Sequence, residues 1–425
     1  MKHITSKLLS LLLCLAMLMS MVPVAYAIDG TEGAGGENTP TETNGGASEQ
    51  DDAYDDAPDT AVVQSTAAAT TDAAKVGEKS YTTLAAALDD AQDGATVTLL
   101  ADVSEDVTIS KNITLDLGGK TLTNTNAGKA TISVTGGTVT VKNGTVIGGA
   151  SYYNIEVTKG SNANLTLEGV TATAGNTDSS MIDNFGKLTI TSGTYTGGLD
   201  TVKNEPGATL GISGGTFTLE KGNVDGFTGV VFNYGNLTIS GGEFIQSDKS
   251  APYGQAQVIH TDKNGSATPT TTITGGTFKN LCTRSTAWTV RVTNAAAGST
   301  KVSGGTFNKK VSDGYCADGF IPTKNADGTY GVKEGKYVAK VGSTKYETLA
   351  EAIRLAAKGK TVTLLADVTE NVIIRAAKDM ILELNGHTLS GGTTAGKAAL
   401  TNYGKLTIND SSEAQTGTIK REDEN

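Results

Sequence analysis

Cysteine, histidine and arginine are scarce in this chain of 425 residues. Three cysteines occur. Cys14 falls in an N-terminal segment that reads as removable, which leaves Cys282 and Cys316. Two thiols are not the disulfide framework of a small secreted domain; one bridge and two separate thiols both fit. Beyond that segment the histidines are His260 and His387. Arginine is found at Arg284, Arg291, Arg354, Arg375 and Arg421 and nowhere else. No serine elbow, HExxH, Walker loop or CxxC pair is present, so no metal and no cofactor is expected. The overall charge balance is negative, but not evenly so. The formal net charge is −11, but Ile28–Asp72 holds eleven Asp/Glu and no Lys or Arg, so the chain from Ala73 onward sums to −2. A near-neutral body offers no electrostatic footprint for nucleic acid.

What is present begins with a secretory signal over residues 1–27. Lys2 and Lys7 give the basic start, Leu8 to Met21 the apolar stretch, and Ala25-Tyr26-Ala27 the small-residue cleavage site. Pro23 and that ending argue against a membrane anchor. The mature chain is expected outside the cytoplasm and not inserted in a membrane. Residues 28–73 are acidic, rich in Gly, Thr, Ser and Ala, and nearly free of large apolar side chains. Such a stretch cannot bury enough surface to offset the entropy of ordering and reads as a disordered, self-repelling linker.

The body is a tandem duplication. Ala74–Ile109 and Ala339–Ile374 share 22 of 36 positions, which sets one module at 74–335 and a second at 336–425. Each opens with a helical spacing, Leu84, Ala87, Leu88 and Ala91 before Gly94, and Leu349, Ala352, Ile353 and Ala356 before Gly359. The first module then repeats one phrase. Gly119, Gly144, Gly169, Gly193, Gly215, Gly242, Gly276 and Gly305 recur at 22 to 34 residues, the period of a solenoid with variable loops. In Leu237-Thr238-Ile239 the aliphatic side chains point one way and Thr the other. Stacked on its own repeats, the triplet builds an apolar column inside and a threonine surface outside. The Gly-Gly pairs turn corners. Asn184, Asn233 and Asn402 precede an aromatic-Gly pair, where left-handed geometry, backbone bonds and an asparagine ladder are expected. Eight markers predict about eight turns, roughly 40 Å of coil. Phe320–Pro322 and Thr329–Val332 read as a hairpin closing it. The second module shows about two turns, fewer than a solenoid needs, so the chain is expected to be a piece of a longer protein that carries the attachment to the cell surface.

The Tyr-x-Thr-Leu opening, the Gly-x-Thr-Val-Thr-Leu-Leu-Ala-Asp-Val line and the Leu-Thr-Ile-Ser-Gly-Gly-Thr-Phe repeats resemble right-handed parallel β-helix surface proteins of Gram-positive bacteria, an architecture shared with pectin-lyase-like proteins. The resemblance covers about residues 74–420. It implies an all-β, right-handed parallel β-helix solenoid with a short N-terminal capping helix, followed by the start of a second module.

The fold hosts many functions, so activity must be argued from side chains. Polysaccharide lyases and hydrolases on this fold need clustered or paired carboxylates, often with Ca²⁺ and a cationic base. Asp89-Asp90 reads as the solvated face of the capping helix. Asp102 and Asp367 occupy matching turns, and His387 stands where the first copy has Lys120, so all three read as turn residues. The excursion Ser247–Thr270 and the turn after it hold the candidate ligand-binding set: Tyr253, His260, Asp262, Arg284, Trp288 and Arg291. Aromatic faces beside amides and hydroxyls suit a sugar; the alternative is that Trp288 packs as core. Tyr152-Tyr153 is a weaker candidate. The expected function is a secreted or cell-surface stalk or adhesin, non-catalytic, with weak contacts to glycans or to host or bacterial surface proteins. The alternatives are a polysaccharide-active enzyme and a carbohydrate-binding module centred on Trp288.

Overall fold

The structure, a computed structural model, describes residues 71–220, 228–252, 256–392 and 397–421. The signal segment, Tyr253 and nearly all of the acidic linker lie outside the described residues. From Ala74 onward the chain is a parallel β-solenoid. Each turn contributes a short strand to three faces, and each strand pairs in register with its equivalent one turn later. The first face runs from Thr96–Leu99 and Ile113–Asp116 through Asn236–Ile239 and Thr270–Ile273 to Thr300–Val302. The second includes Thr121–Thr123, Gly193–Thr196, Thr216–Leu219, Glu243–Gln246 and Thr277–Asn280. The third is an eight-stranded sheet from Val107–Ile109 to Trp288–Thr293.

Among the described residues the first coil holds nine strands on its first face and the second coil three, Lys360–Leu364, Asp379–Glu383 and Lys405–Asn409. That is one turn more in each than the glycine spacing indicates. The added turn is the one beneath the cap, which carries the strand but not the glycine corner.

Alternation fixes what is inside. In Asn236–Ile239, Leu237 and Ile239 are buried while Asn236 and Thr238 are exposed, and each buried aliphatic side chain is worth roughly 1.5–3 kcal/mol. On the second face the interior column turns aromatic. Tyr195, Phe217, Phe244, Phe278 and Phe307 stack with centroids 4.7–5.0 Å apart and planes within 11° of parallel. That spacing is the strand spacing, so the register imposes the stack. The Gly-Gly corner has two separate causes. At the first glycine of each pair, Gly214, Gly241, Gly275 and Gly304, a Cβ would lie 2.1–2.4 Å from a carbonyl oxygen of the turn before. At the second, Gly215, Gly242, Gly276 and Gly305, φ is 98–101°, a conformation L side chains avoid.

The asparagine ladder forms. Asn184 Nδ2 donates to Asn204 Oδ1 at 2.8 Å, and Asn204 Nδ2 to Asn233 Oδ1 at 2.8 Å. The left-handed geometry expected of these asparagines does not occur. They end extended strands, and positive φ falls instead at Asn143, Asn294 and Asn385. Their side chains reach the backbone directly, with Gly186 and Gly235 N–H donating to Asn184 and Asn233 Oδ1.

Both coils carry the same cap. The helix Leu84–Asp90 buries Leu84, Ala87 and Leu88, and Leu349–Leu355 buries Leu349, Ala352 and Ile353. Glu105 accepts from the Leu84 and Ala85 N–H groups, as Glu370 does from Leu349 and Ala350. At the other end Lys111 donates to the Asp89 and Ala91 carbonyls, and Lys378 to those of Arg354 and Ala356. Asp102 and Asp367 accept the Thr121 and Thr388 N–H at 2.8 Å; both are turn residues. The hairpin Phe320–Lys324 and Tyr330–Glu334 closes the first coil through Phe307 and Tyr330. Cys282 and Cys316 are separate thiols.

Candidate functional site

Outward side chains differ by face. The first face presents Thr140, Thr166, Thr189 and Thr238, and the second Thr145, Thr171, Thr194 and Thr216. The third face is different. Its middle positions, in register on successive strands, run Glu156, Asp183, Lys203, Phe232, His260 and Arg291. Charged pairs stand on the other faces too, Asp116 with Lys142 on the first and Glu243 with Lys279 on the second, but this column sets charge beside Phe232 and His260.

The middle of the column is covered. Asp183 and His260 have no exposed surface, Phe232 has 4% and Arg291 9%. Phe232 packs its ring 4.6 Å from His260, whose Nε2 lies 2.8 Å from Thr293 Oγ1. Burial pushes the imidazole down to about 4, so His260 is neutral at ordinary pH.

Toward the N-terminal end the column is acidic. Asp183 is flanked in register by Glu156 and Lys203. Lys203 Nζ lies 2.5 Å from Glu205 Oε1. Neither Asp183 oxygen has a close, well-aligned donor among the described residues, and the Tyr153 hydroxyl faces it. Burial, with the Glu205 charge adding and the Lys203 charge opposing, pushes the Asp183 carboxyl up to about 7. Burial also raises Glu156 and Tyr153. For Lys203, burial would lower the ammonium, but the Glu205 bond and the neighbouring acids outweigh it and hold it above its ordinary value. Asp200 is a second buried acid nearby, pushed by burial up to about 7 although Gly229 N–H and Ser180 Oγ donate to it. Among the described residues no group of three His, Cys, Asp or Glu is placed to hold a metal ion.

The face opens at its two ends. Beside Tyr152 and Glu156 a cleft of about 180 Å³ is lined by Asp106, Lys129 and Ser133. Beside the last strand a larger one, about 650 Å³, is lined by Trp288, Val290, Lys309, Lys310, Asp313 and Tyr315, with four neighbours. Trp288 is half-buried, and the Arg291 guanidinium sits 5.3 Å from its ring centroid.

The structure therefore sorts the residues singled out in the sequence. His260 and Arg291 face each other on adjoining strands, and Trp288 joins Arg291 at the start of the last one. Asp262 lies at the far end of that strand pair, opposite Thr293, and accepts from Asn294 Nδ2 at 3.0 Å. At about 3.3 Å per residue it is some 16 Å from the Trp288 end. Arg284 is exposed on the loop before Trp288. Tyr152 and Tyr153 belong to the acidic end, their rings 4.5 Å apart. Sequence reasoning missed Glu156, Asp183, Lys203 and Glu205. The signal was there: Ile182-Asp183-Asn184, Val202-Lys203-Asn204 and Val231-Phe232-Asn233 are one triplet whose central residue faces outward. No family model, no curated protein and no solved structure matches this chain, so the third face is interpreted from its own chemistry.

Proposed function

We propose that this chain is a secreted, cell-surface β-solenoid whose third face makes adhesive, non-catalytic contacts with glycans. The observation that carries the reading is the division of labour among the faces. Two present mainly threonine, with a few charged side chains such as Asp116, Lys142, Glu243 and Lys279. The third sets charged side chains beside aromatic ones and is open at both ends, where a Tyr152 or Trp288 ring stands beside hydroxyls and charges. Aromatic walls with a few polar groups are what sugar rings pack against. The likeness of the repeats to Gram-positive surface proteins supports display outside the cell. Binding of the full chain to a glycan array tests the reading. Signals that Trp288→Ala or Tyr152→Ala reduces, and that Thr189→Ala leaves unchanged, are expected; a blank array, or equal loss in all three variants, counts against it.

One observation favours a second reading, a polysaccharide-active enzyme. Glu156, Asp183 and Glu205 converge with Lys203 and Tyr153, and a carboxyl held protonated near neutral pH is what a general acid requires. Full burial of Asp183 weighs against it. Release of reducing or unsaturated sugars from a pectin, xylan or mucin panel, abolished by Asp183→Asn, would establish it.

A further inference from the structure

The cleft at the end of the third face is basic. Its walls carry Lys309 and Lys310 and a single carboxylate, Asp313. That carboxylate is already engaged: Lys345 Nζ lies 3.5 Å from it, Lys310 Nζ 4.0 Å, and the Tyr337 hydroxyl 3.4 Å. Lys309 has no acid within ion-pair distance among the described residues. Its ammonium is fixed instead by two carbonyls, Cys282 O at 2.9 Å and Ala287 O at 3.0 Å. An ammonium has three N–H donors, so one remains. Burial lowers the Lys309 ammonium below its ordinary value. Trp288, Val290, Val311 and Tyr315 line the same cleft. Trp288–Thr293 is the terminal strand of its sheet.

We propose that this cleft is a subsite for an anionic sugar, a ring that stacks on Trp288 and places a carboxylate or sulfate against Lys309 and Lys310. The volume suits one or two sugar rings. The assignment rests on the glycan reading above and narrows it to a charge class. It also gives the two lysines distinct parts. Lys309 is pre-oriented by its carbonyls, and the exposed Lys310 adds attraction.

Trp288 is the only tryptophan in the chain, so its emission reports the cleft without background. The full chain is titrated with glucuronic acid, glucose 6-sulfate, glucose and sodium sulfate. A saturable change with either acidic sugar and none with glucose or sulfate is expected, and which acidic sugar responds identifies the anion. Lys310→Glu should weaken the response about tenfold with thermal unfolding unchanged. Lys309→Met, which keeps the stem and removes the charge, should do the same; if it does not fold, Lys310→Glu carries the test. An equal response to glucose or to sulfate alone, or an unaltered response in Lys310→Glu, overturns the inference. Glycan-array binding with Trp288 emission indifferent to acidic sugars would remove this inference and leave the glycan reading standing. A blank array with a saturable, Lys310-dependent titration would sustain this inference and confine the glycan reading to this cleft.

Discussion

Two stretches of this chain are spelled almost identically and sit in opposite surroundings. Asn233–Ile239 reads NYGNLTI and Asn402–Ile408 reads NYGKLTI. In the first coil Asn233 and Ile239 are fully buried and Leu237 is 1% exposed. In the second, Asn402 is exposed, Tyr403 is 69% exposed and Ile408 48%. The local conformation is the same: each is a short strand in parallel register with the turn before it, and each asparagine accepts from the glycine two residues on. What differs is the neighbour on the other side. Thr270–Ile273 covers Asn236–Ile239, and no described strand covers Lys405–Asn409. A repeat of this kind carries half of its own core; its successor supplies the rest.

The largest effect that separates the two coils should come from one substitution made twice. Ile239→Ala leaves a cavity in a closed stack and should cost about 2–5 kcal/mol. Ile408→Ala removes a half-exposed side chain and should cost about 1 kcal/mol or less. Chemical denaturation of each variant checks this, and equal losses would break the comparison.

The coils should also respond to pH with opposite sign. In the first, Asp183 and Asp200 stand at about 7 in the folded chain against 3.8 ordinarily. Between those values the folded form holds protons that the unfolded form has released. Stability of the first coil should therefore fall as pH rises from about 4 to about 7. The two acids together remove on the order of 3 kcal/mol per pH unit. His260, held down to about 4 against 6.5 ordinarily, returns on the order of 1 kcal/mol per unit below pH 6.5, so the net sign is a fall. Asp183→Asn should flatten that slope. The second coil has Ile373 and Thr401 at the matching outward positions. Its marked shift is Asp410, held down to about 2, first by the Ser412 hydroxyl and then, against the cost of burial, by the Gly417, Gly386 and Ser412 N–H groups. That contribution is present above about pH 4 and is lost as pH falls through about 2. Melting curves across pH 2–8 test both signs. A first coil that gains stability toward neutral pH would contradict the burial of its acids.

The smallest expected effect is one the coils share. Lys111→Ala and Lys378→Ala each free helix-end carbonyls and should cost about 0.5–1 kcal/mol, equally in both. Unequal losses, read by denaturation, would show that the two caps are not the same device.

Much of this architecture was legible in the sequence, for a physical reason. A stacked coil writes its interior as a period, so Leu-Thr-Ile, Gly-Gly and the duplicated cap announced the fold, and the hairpin at Phe320 announced its closure. The candidate site was less legible because loops of unequal length precede each third-face strand, so no fixed spacing leads to it. Trp288, Arg291 and His260 stood out by rarity and fell on one face. Asp183 and Lys203 are common residue types, and only their shared place before Asn184 and Asn204 marks them. Burial of His260 depends on how the loops fold over the face, which no local pattern encodes.

If a repeat's neighbour, not its wording, decides what it contributes, amide hydrogen exchange on the full chain will show it. The Ile239 carbonyl accepts from Thr274 N–H on the following turn, so in a parallel ladder the amides of Leu237 and Ile239 face that turn. The Lys405 N–H donates back to Lys378, which leaves Leu406 and Ile408 facing the uncovered side. Leu237 and Ile239 should exchange only through large-scale opening, and Leu406 and Ile408 faster by orders of magnitude. Equal protection at the two pairs would contradict the account.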